Sequence, residues 1–105
     1  VKQDYDQASE WYRKAAAQDH AKAQNILGYM YDRGKGVPQD HAQALFWYRK
    51  AAEQGYSLAL YTLGTKYEKG IGVARDRAEA VRLYQEAAAQ GDKNAKKALQ
   101  RLGKQ

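Results

Sequence analysis

The chain has 105 residues, of which 44% are hydrophobic, and it carries a formal net charge of +6 at pH 7. This length and composition fit one small soluble domain. A membrane span needs about 18 or more consecutive apolar residues, and the sequence contains no such run. Because the sequence has no cysteine, disulfides and thiolate metal sites are excluded.

A repeat of 36 residues organises the chain, and a period of this length is typical of helical repeat proteins. The residues that recur in three copies include Asp4, Asp40 and Asp76, Tyr12, Tyr48 and Tyr84, Ala23, Ala59 and Ala95, and Leu27, Leu63 and Leu99. We therefore divide a single repeat domain, 1–105, into a half repeat 1–19, two repeats 20–55 and 56–91, and a C-terminal capping helix 92–105. Since the first residue falls in the middle of a period, we expect the chain to be a fragment of a longer solenoid.

Each period predicts two helices. In the first period, Asp4 is a good N-cap for a helix from Tyr5 to Gln18. The second helix has apolar residues at steps of four. It ends at Gly34, a residue suited to the left-handed conformation that follows many helices.

The later periods repeat this pattern. Asp40 and Asp76 are expected to cap the third and fifth helices, the fourth helix ends at Gly70, and a sixth runs from about Lys93 to Leu102. Together the six helices predict an all-α protein built from antiparallel helix pairs, without a strand.

Two features of these helices need a packing reason. Trp11 and Trp47 lie on the apolar stripes and are expected in the core. Gly28 and Gly64 stand in the middle of helices, where glycine costs about 1 kcal/mol relative to alanine. We expect the neighbouring helix to approach the backbone closely at both glycines.

Residues 23–55, AQNILGYMYDRGKGVPQDHAQALFWYRKAAEQG, closely resemble the Sel-one-like repeat, a relative of the tetratricopeptide repeat. The resemblance covers nearly the whole chain and weakens after Asn94. It implies a right-handed α-α superhelix, or solenoid, and a role as a scaffold or adaptor for protein complexes. It also implies a bacterial protein of the cytoplasm, the periplasm or the exterior. Cysteine-rich relatives carry a disulfide in each repeat, which this chain lacks.

No set of residues predicts an enzyme or a cofactor site. The segment Gly34-Lys35-Gly36 lacks the preceding strand and the following Gly-Lys-Ser/Thr of a phosphate loop, and it predicts a turn. His20 and His41 have no carboxylate or second histidine at ligand spacing, so the sequence predicts no metal site.

The basic residues leave a second function open. They are scattered, except for a cluster near the C-terminus: Lys93, Lys96, Lys97, Arg101 and Lys104. Without interleaved aromatic residues, this cluster favours a solvated helix end over a phosphate-binding patch. A protein-binding scaffold is therefore the leading hypothesis. A basic domain that contacts nucleic acid or another acidic surface is the alternative.

The surface that remains beside the buried stripe of the second and fourth helices predicts a binding groove. One flank holds four residues at steps of 4, 3 and 4, and the flank one period later holds their equivalents. These eight residues are Lys22, Ile26, Tyr29, Arg33, Leu58, Thr62, Thr65 and Lys69. In the related repeats this helix lines the concave side, so we expect a peptide or partner protein with acidic residues to bind here. The alternative is that Ile26 and Tyr29 pack against the next repeat.

The beginning of the chain predicts a second contact surface. The first helix presents Trp11 and Tyr12 without a preceding helix to cover them, and repeats need neighbours. We expect self-association, helix exchange or upstream repeats of a longer parent to cover this edge.

Overall fold

The computed structural model describes the backbone of residues 2–103 and the side chains of residues 10–103. Six α-helices follow one another along this part of the chain, and it contains no β-strand. The helices are α1 Lys2–Ala17, α2 Ala21–Arg33, α3 His41–Glu53, α4 Ser57–Lys69, α5 Arg77–Ala89 and α6 Lys93–Arg101. Each helix packs against the next, and the molecule is elongated, with extents of 44 × 24 × 21 Å. The prediction of an all-α solenoid of helix pairs is confirmed.

The helices do not have the length and composition of membrane spans. None of those in the described part of the chain is long and apolar enough to cross a bilayer.

The predicted caps of the inner helices are confirmed. Asp40 and Asp76 each accept a hydrogen bond from the backbone N–H three residues later, at 3.1 and 3.0 Å. Gly34 and Gly70 follow α2 and α4 in the left-handed conformation, with φ of 68° and 70°. Residues with a side chain rarely adopt this conformation, whereas glycine does so at no steric cost. These glycines therefore end the helices and turn the chain into the next loop.

The start of α1 differs from the prediction. The helix already includes Lys2, so Asp4 lies inside it and does not cap it. Lys2 and Gln3 have good helix propensities, and no glycine or proline separates them from Asp4. Asp40 and Asp76, in contrast, each follow a glycine-containing loop that keeps the helix from starting earlier.

The core forms where small alanines of one helix face large side chains of the next. Tyr48 and Tyr84 are only 2% and 1% exposed.

Trp47 is half-buried and packs against α1 and α2, where Leu27 is fully buried. Trp11 occupies the equivalent position one period earlier, but it is 64% exposed. The expectation that Trp11 lies in the core is wrong for the described residues. The expectation that the first helix presents Trp11 without a helix to cover it is confirmed.

Each buried tyrosine lies against a glycine in the middle of the preceding helix. A Cβ atom on Gly28 would lie 2.9 Å from Cδ1 of Tyr48, and one on Gly64 would lie 2.8 Å from Cε1 of Tyr84. Real Cβ atoms essentially never come this close to another atom, so glycine is what lets each ring occupy its place. The close approach expected at these glycines is confirmed. The nearest atoms, however, belong to the tyrosine rings rather than to the backbone of the next helix.

The hydroxyl of Tyr48 connects α3 to a carboxylate on α2. It donates a hydrogen bond to Oδ2 of Asp32 at 3.3 Å, and Nζ of Lys66 on α4 lies 2.7 Å from the same oxygen. The side chains of Asp32 and Lys66 are 9% and 12% exposed, so three helices meet at a charged pair that has little contact with water. Burial and the charge of Asp32 raise the pKa of Tyr48. The tyrosine hydroxyl therefore keeps its proton and acts as the donor.

The same arrangement recurs one period later, with Glu68 in place of Asp32. The hydroxyl of Tyr84 donates to Oε1 of Glu68 at 2.7 Å, and Arg101 of α6 donates two hydrogen bonds to this carboxylate, at 2.6 and 2.9 Å. The hydrogen bonds from Arg101 lower the pKa of Glu68 to about 2, against an opposing effect of burial. Burial raises the pKa of Tyr84 to about 12. A tyrosine, an acid and a cation thus tie each helix pair to the helix that follows it.

Glu68→Gln should destabilise the fold at neutral pH and lose that effect in acid. Folding lowers the pKa of Glu68 from 4.5 to about 2. The stabilising charge is therefore fully present above about pH 4.5 and is lost as the pH falls toward about 2. Because Arg101 is exposed and its ion pair is screened by solvent, we expect a small but measurable fall in the urea midpoint at neutral pH. Urea denaturation at about pH 7 and about pH 2.5 measures both ends of this range.

Glu53→Gln is the matched control, because it removes the same charge from an exposed position on α3 outside the tyrosine contacts. If Glu68→Gln lowers the urea midpoint by the same amount at both pH values, the carboxylate charge has no role. The same holds if Glu53→Gln lowers the urea midpoint as much as Glu68→Gln does.

Candidate functional site

A groove of about 580 Å³ lies between α2 and α4. It is lined by seven of the eight residues that the sequence predicted: Ile26, Tyr29 and Arg33 on α2, and Leu58, Thr62, Thr65 and Lys69 on α4. Lys22 is the exception, because it lies one helical turn before Ile26, outside the groove. The structure therefore brings the two predicted flanks together, and the binding of a partner there stays a prediction.

The floor of the groove is apolar and open to solvent. Tyr29 and Leu58 are 45% and 49% exposed, and Ile26 is half-buried. Ile71, from the loop after α4, adds a further exposed side chain. Tyr29 is therefore not buried against the next repeat, which was the alternative for this residue. Four large apolar side chains remain accessible on one surface.

Two exposed cations border this floor, at the C-terminal ends of α2 and α4. Arg33 and Lys69 are exposed, and the guanidinium carbon of Arg33 lies 5.7 Å from the centre of the Tyr29 ring. Lys66 also lines the groove, but it is paired with Asp32. Asp32 is the one acid among the lining residues. Arg33 and Lys69 are therefore the charges that a partner in the groove would meet.

Six further residues line the groove and were not predicted: Asn25, Asp32, Tyr48, Tyr61, Lys66 and Ile71. A signal for two of them was present in the sequence, because an acid recurs one period apart at Asp32 and Glu68, and a tyrosine recurs at Tyr48 and Tyr84. The other four carry no such signal, since their side chains come together only when α2, α3 and α4 pack.

Asn25 is the unusual residue among these six. It is 7% exposed, and its Oδ1 atom has no hydrogen-bond partner. Within residues 10–103 it is the one buried side-chain oxygen or nitrogen in that condition. Its buried neighbour Gln24, in contrast, donates to the carbonyl of Ala16 at 3.1 Å and accepts from Gln54 at 2.9 Å.

His41 has a neighbour that the sequence did not reveal. Its Nδ1 atom lies 3.2 Å from Oδ1 of Asp32, because the loop between α2 and α3 brings the two residues together. The sequence shows no carboxylate at metal-ligand spacing from His41, and this contact with Asp32 was not predicted. Across the described side chains, no group of three His, Cys, Asp or Glu residues could hold a metal ion.

A second depression, of about 340 Å³, lies among α3, α4 and α5 and has a different character. Four of its five charged side chains, all except Glu53, have partners within the chain. Arg82 pairs with Glu79 and Glu86 at 2.8 and 2.6 Å, and Arg49 donates to the hydroxyl of Tyr67 at 2.8 Å. The groove between α2 and α4 is therefore the better candidate for a binding surface.

Comparison with known proteins places the chain in a family. The family model of the Sel1 repeat matches residues 1–20, 21–56 and 57–92. No curated protein sequence matches the chain.

Three solved structures share this fold. The chain is 49% identical to a Sel1 repeat protein from Oxalobacter formigenes, with a TM-score of 0.84 over 87% of this chain and 68% of that chain. It is 43% identical to c5321, a protective antigen of uropathogenic Escherichia coli strains with an SLR fold, with a TM-score of 0.83 over 86% of this chain and 19% of that chain. It is 27% identical to cysteine rich protein B of Helicobacter pylori, with a TM-score of 0.83 over 87% of this chain and 68% of that chain.

These matches agree with the all-helical fold and the 36-residue period of the structure. They also confirm the resemblance drawn from the repeated residues. The chain belongs to the Sel1 repeat family.

Proposed function

We propose that this protein is a protein-interaction scaffold that holds an acidic segment of a partner protein in the groove between α2 and α4. Sel1 repeat proteins are generally scaffolds for protein interactions and generally not enzymes. The observation that carries the proposal is the composition of the groove, where an open apolar floor lies beside two exposed cations. We propose no catalytic role.

The apolar floor would supply most of the affinity. Burial of apolar surface contributes about 25 cal/mol per Å², and aromatic and arginine side chains dominate many interfaces. Tyr29 and Arg33 lie next to each other on α2 and are both exposed. A partner's apolar side chain would meet Ile26 and Tyr29, while its carboxylates would meet Arg33 and Lys69. Charges at the edge of an interface act mainly on association rate and specificity. We therefore propose that Arg33 and Lys69 select an acidic partner.

Nucleic acid, the alternative ligand, fits this groove less well. Phosphate binding depends on several cations that follow the backbone of the ligand. In the groove, Lys66 is already paired with Asp32, and the basic residues of α6 do not line it. Binding to the groove that collapses steeply with salt would favour this alternative.

The double variant Tyr29→Ala with Arg33→Glu should lose partner binding. It removes an exposed ring from the floor and reverses one charge of the rim, so we expect the Kd of a groove ligand to rise at least about tenfold. Peptides selected from a random phage-displayed library against the wild-type chain provide the ligands. Their affinities for the two proteins are then compared by fluorescence polarisation, and the selected peptides should be rich in acidic and apolar residues.

A matched control is available on α3. Lys50 lies 5.6 Å from the ring centre of Phe46, so the two form an exposed aromatic–cation pair like Tyr29 and Arg33, and neither lines the groove. Phe46→Ala with Lys50→Glu makes the same chemical change outside the groove and should bind the peptides normally. If this control loses binding and the folded groove variant keeps it, the assigned surface is wrong.

The exposed edge around Trp11 is a second contact surface, and we propose that two copies of the chain pair through it. Trp47 shows how the repeat covers this position, by packing against the preceding helix pair. At the other end of the described chain, Leu99 on α6 is already buried and its neighbours Lys96 and Lys97 are exposed. We therefore expect a two-fold contact between Trp11 edges rather than a head-to-tail contact.

Light scattering over a range of protein concentrations tests this pairing. The wild-type chain should approach the mass of a dimer at high concentration, and Trp11→Ala should stay monomeric. A wild-type chain that remains monomeric at about millimolar concentration would rule the pairing out, since a 1 mM Kd corresponds to only about 4 kcal/mol.

A further inference from the structure

The helix α6 takes the place that α2 and α4 have in the two earlier periods. One period separates α2 from α4 and α4 from α6, so each residue of α6 has two equivalents. The helix that follows in the chain, α3 or α5, covers one face of α2 and of α4. Within the described residues no helix covers the same face of α6, which we call its outer face. A further helix of the repeat would stack on this outer face.

Lys96 is the first residue of the outer face that differs from its equivalents. Gln24 and Leu60, at the same place in α2 and α4, are each 1% exposed. Gln24 accepts a hydrogen bond from Gln54, the residue that follows α3, at 2.9 Å. Lys96, in contrast, is exposed. A helix that covered α6 as α3 covers α2 would take the ammonium group of Lys96 out of water, which is unfavourable unless the group is paired.

Gln100 is the second difference, and it changes the contact between a ring and a glycine. Its equivalents are Gly28 and Gly64, which leave room for the rings of Tyr48 and Tyr84. A Cβ atom on these glycines would lie 2.9 and 2.8 Å from the rings. Gln100 carries a Cβ atom and a longer side chain, and it is exposed. A tyrosine ring therefore cannot occupy on α6 the place that it has on α2 and α4.

The sequence also lacks the acid that accepts the tyrosine hydroxyl. Asp32 and Glu68 accept from the two buried tyrosines, and the third copy of the repeat has Lys104 at this position. A charged lysine offers only donors, so it cannot replace the carboxylate. The tyrosine of an added helix would lose both its ring contact and the acceptor of its hydroxyl.

The other end of the chain presents the helix that would otherwise fit such a face. α1 carries Trp11 and Tyr12, the equivalents of Trp47 and Tyr48 on α3. Trp11 is 64% exposed, and Tyr12 is half-buried although Tyr48 is only 2% exposed. If α1 of one copy lay on α6 of another, the contact would be head-to-tail. Contacts of this kind build open filaments unless their rotation closes a ring.

We infer that Lys96 and Gln100 form a stop on α6, which keeps a second copy of the chain from stacking head to tail through the exposed edge around Trp11. The stop lies on the outer face of α6 and involves neither the groove nor its ligand. The inference therefore goes beyond the proposed function and does not depend on it. A two-fold contact between Trp11 edges remains possible, because it leaves α6 untouched.

The test measures whether removal of the stop lets α1 of one copy reach α6 of another. Such a stack would bring residue 96 of one copy beside residue 18 of the other, because their equivalents Gln24 and Gln54 are hydrogen-bonded. The chain has no cysteine, so one cysteine can be placed on each partner. One chain carries Lys96→Cys with Gln100→Gly, and the other carries Gln18→Cys and a small tag. A short bismaleimide should join the two different chains, and the tag identifies the mixed product on a denaturing gel.

Lys96→Cys with Gln100→Ala is the matched control, because it makes the same changes but keeps a Cβ atom at residue 100. It should give at least about fivefold less of the mixed product, as the cost of overpacking by one methyl group predicts. Trp11→Ala in the tagged chain should lower the yield from the glycine variant as well. Equal yields from the glycine and alanine variants would overturn the inference.

Light scattering of the wild-type chain is a second test, and it needs no substitution in α6. The mass should not exceed that of a dimer at any concentration, whereas Lys96→Leu with Gln100→Gly should form larger species. A wild-type chain that grows beyond a dimer as its concentration rises would contradict the stop. Larger species that form equally in Lys96→Leu with Gln100→Ala would also contradict it, since they would arise from the new leucine alone.

Discussion

The packing of a tyrosine ring onto a mid-helix glycine is the constraint on which the rest of the structure depends. Tyr48 can lie on α2 because Gly28 has no Cβ, and Tyr84 lies on Gly64 in the same way. Helix propensity alone would favour alanine at both glycines by about 1 kcal/mol. The ring that takes up this space is almost completely buried, and this contact offsets the cost.

This contact also determines how the groove is built. Once its ring is fixed, Tyr48 directs its hydroxyl to Asp32, and Asp32 in turn holds Lys66. All three residues line the groove, so the contact that joins α2, α3 and α4 also forms part of the proposed binding surface. Because Asp32 and Lys66 neutralise each other, the outer cations Arg33 and Lys69 are left for a partner. In the proposed function, stability and recognition therefore use different charges of the same groove.

Most of the fold could be predicted from the sequence, because three copies of one pattern support each other. Asp40 and Asp76 were identified as caps from their place after a loop, and the structure agrees. Asp4 carried the same pattern without a loop before it, and the helix continues past it. The groove flanks also followed from helical spacing. Asn25 and the contact of His41 with Asp32 could not be predicted, since both depend on which side chains meet across helices and not on spacing within one.

The same substitution in two repeats tests the link between helix packing and the groove most directly. Gly28→Ala displaces Tyr48, which lines the groove. Gly64→Ala displaces Tyr84, which does not line the groove and touches it only indirectly, through Tyr61 and Thr65. Overpacking of this kind typically costs about 1–3 kcal/mol, so both variants should show a lower melting temperature. Affinity for a groove-binding peptide, measured well below both melting temperatures, should fall more for Gly28→Ala than for Gly64→Ala. Equal affinities of the two variants, or two variants as stable as the wild type, would contradict this account.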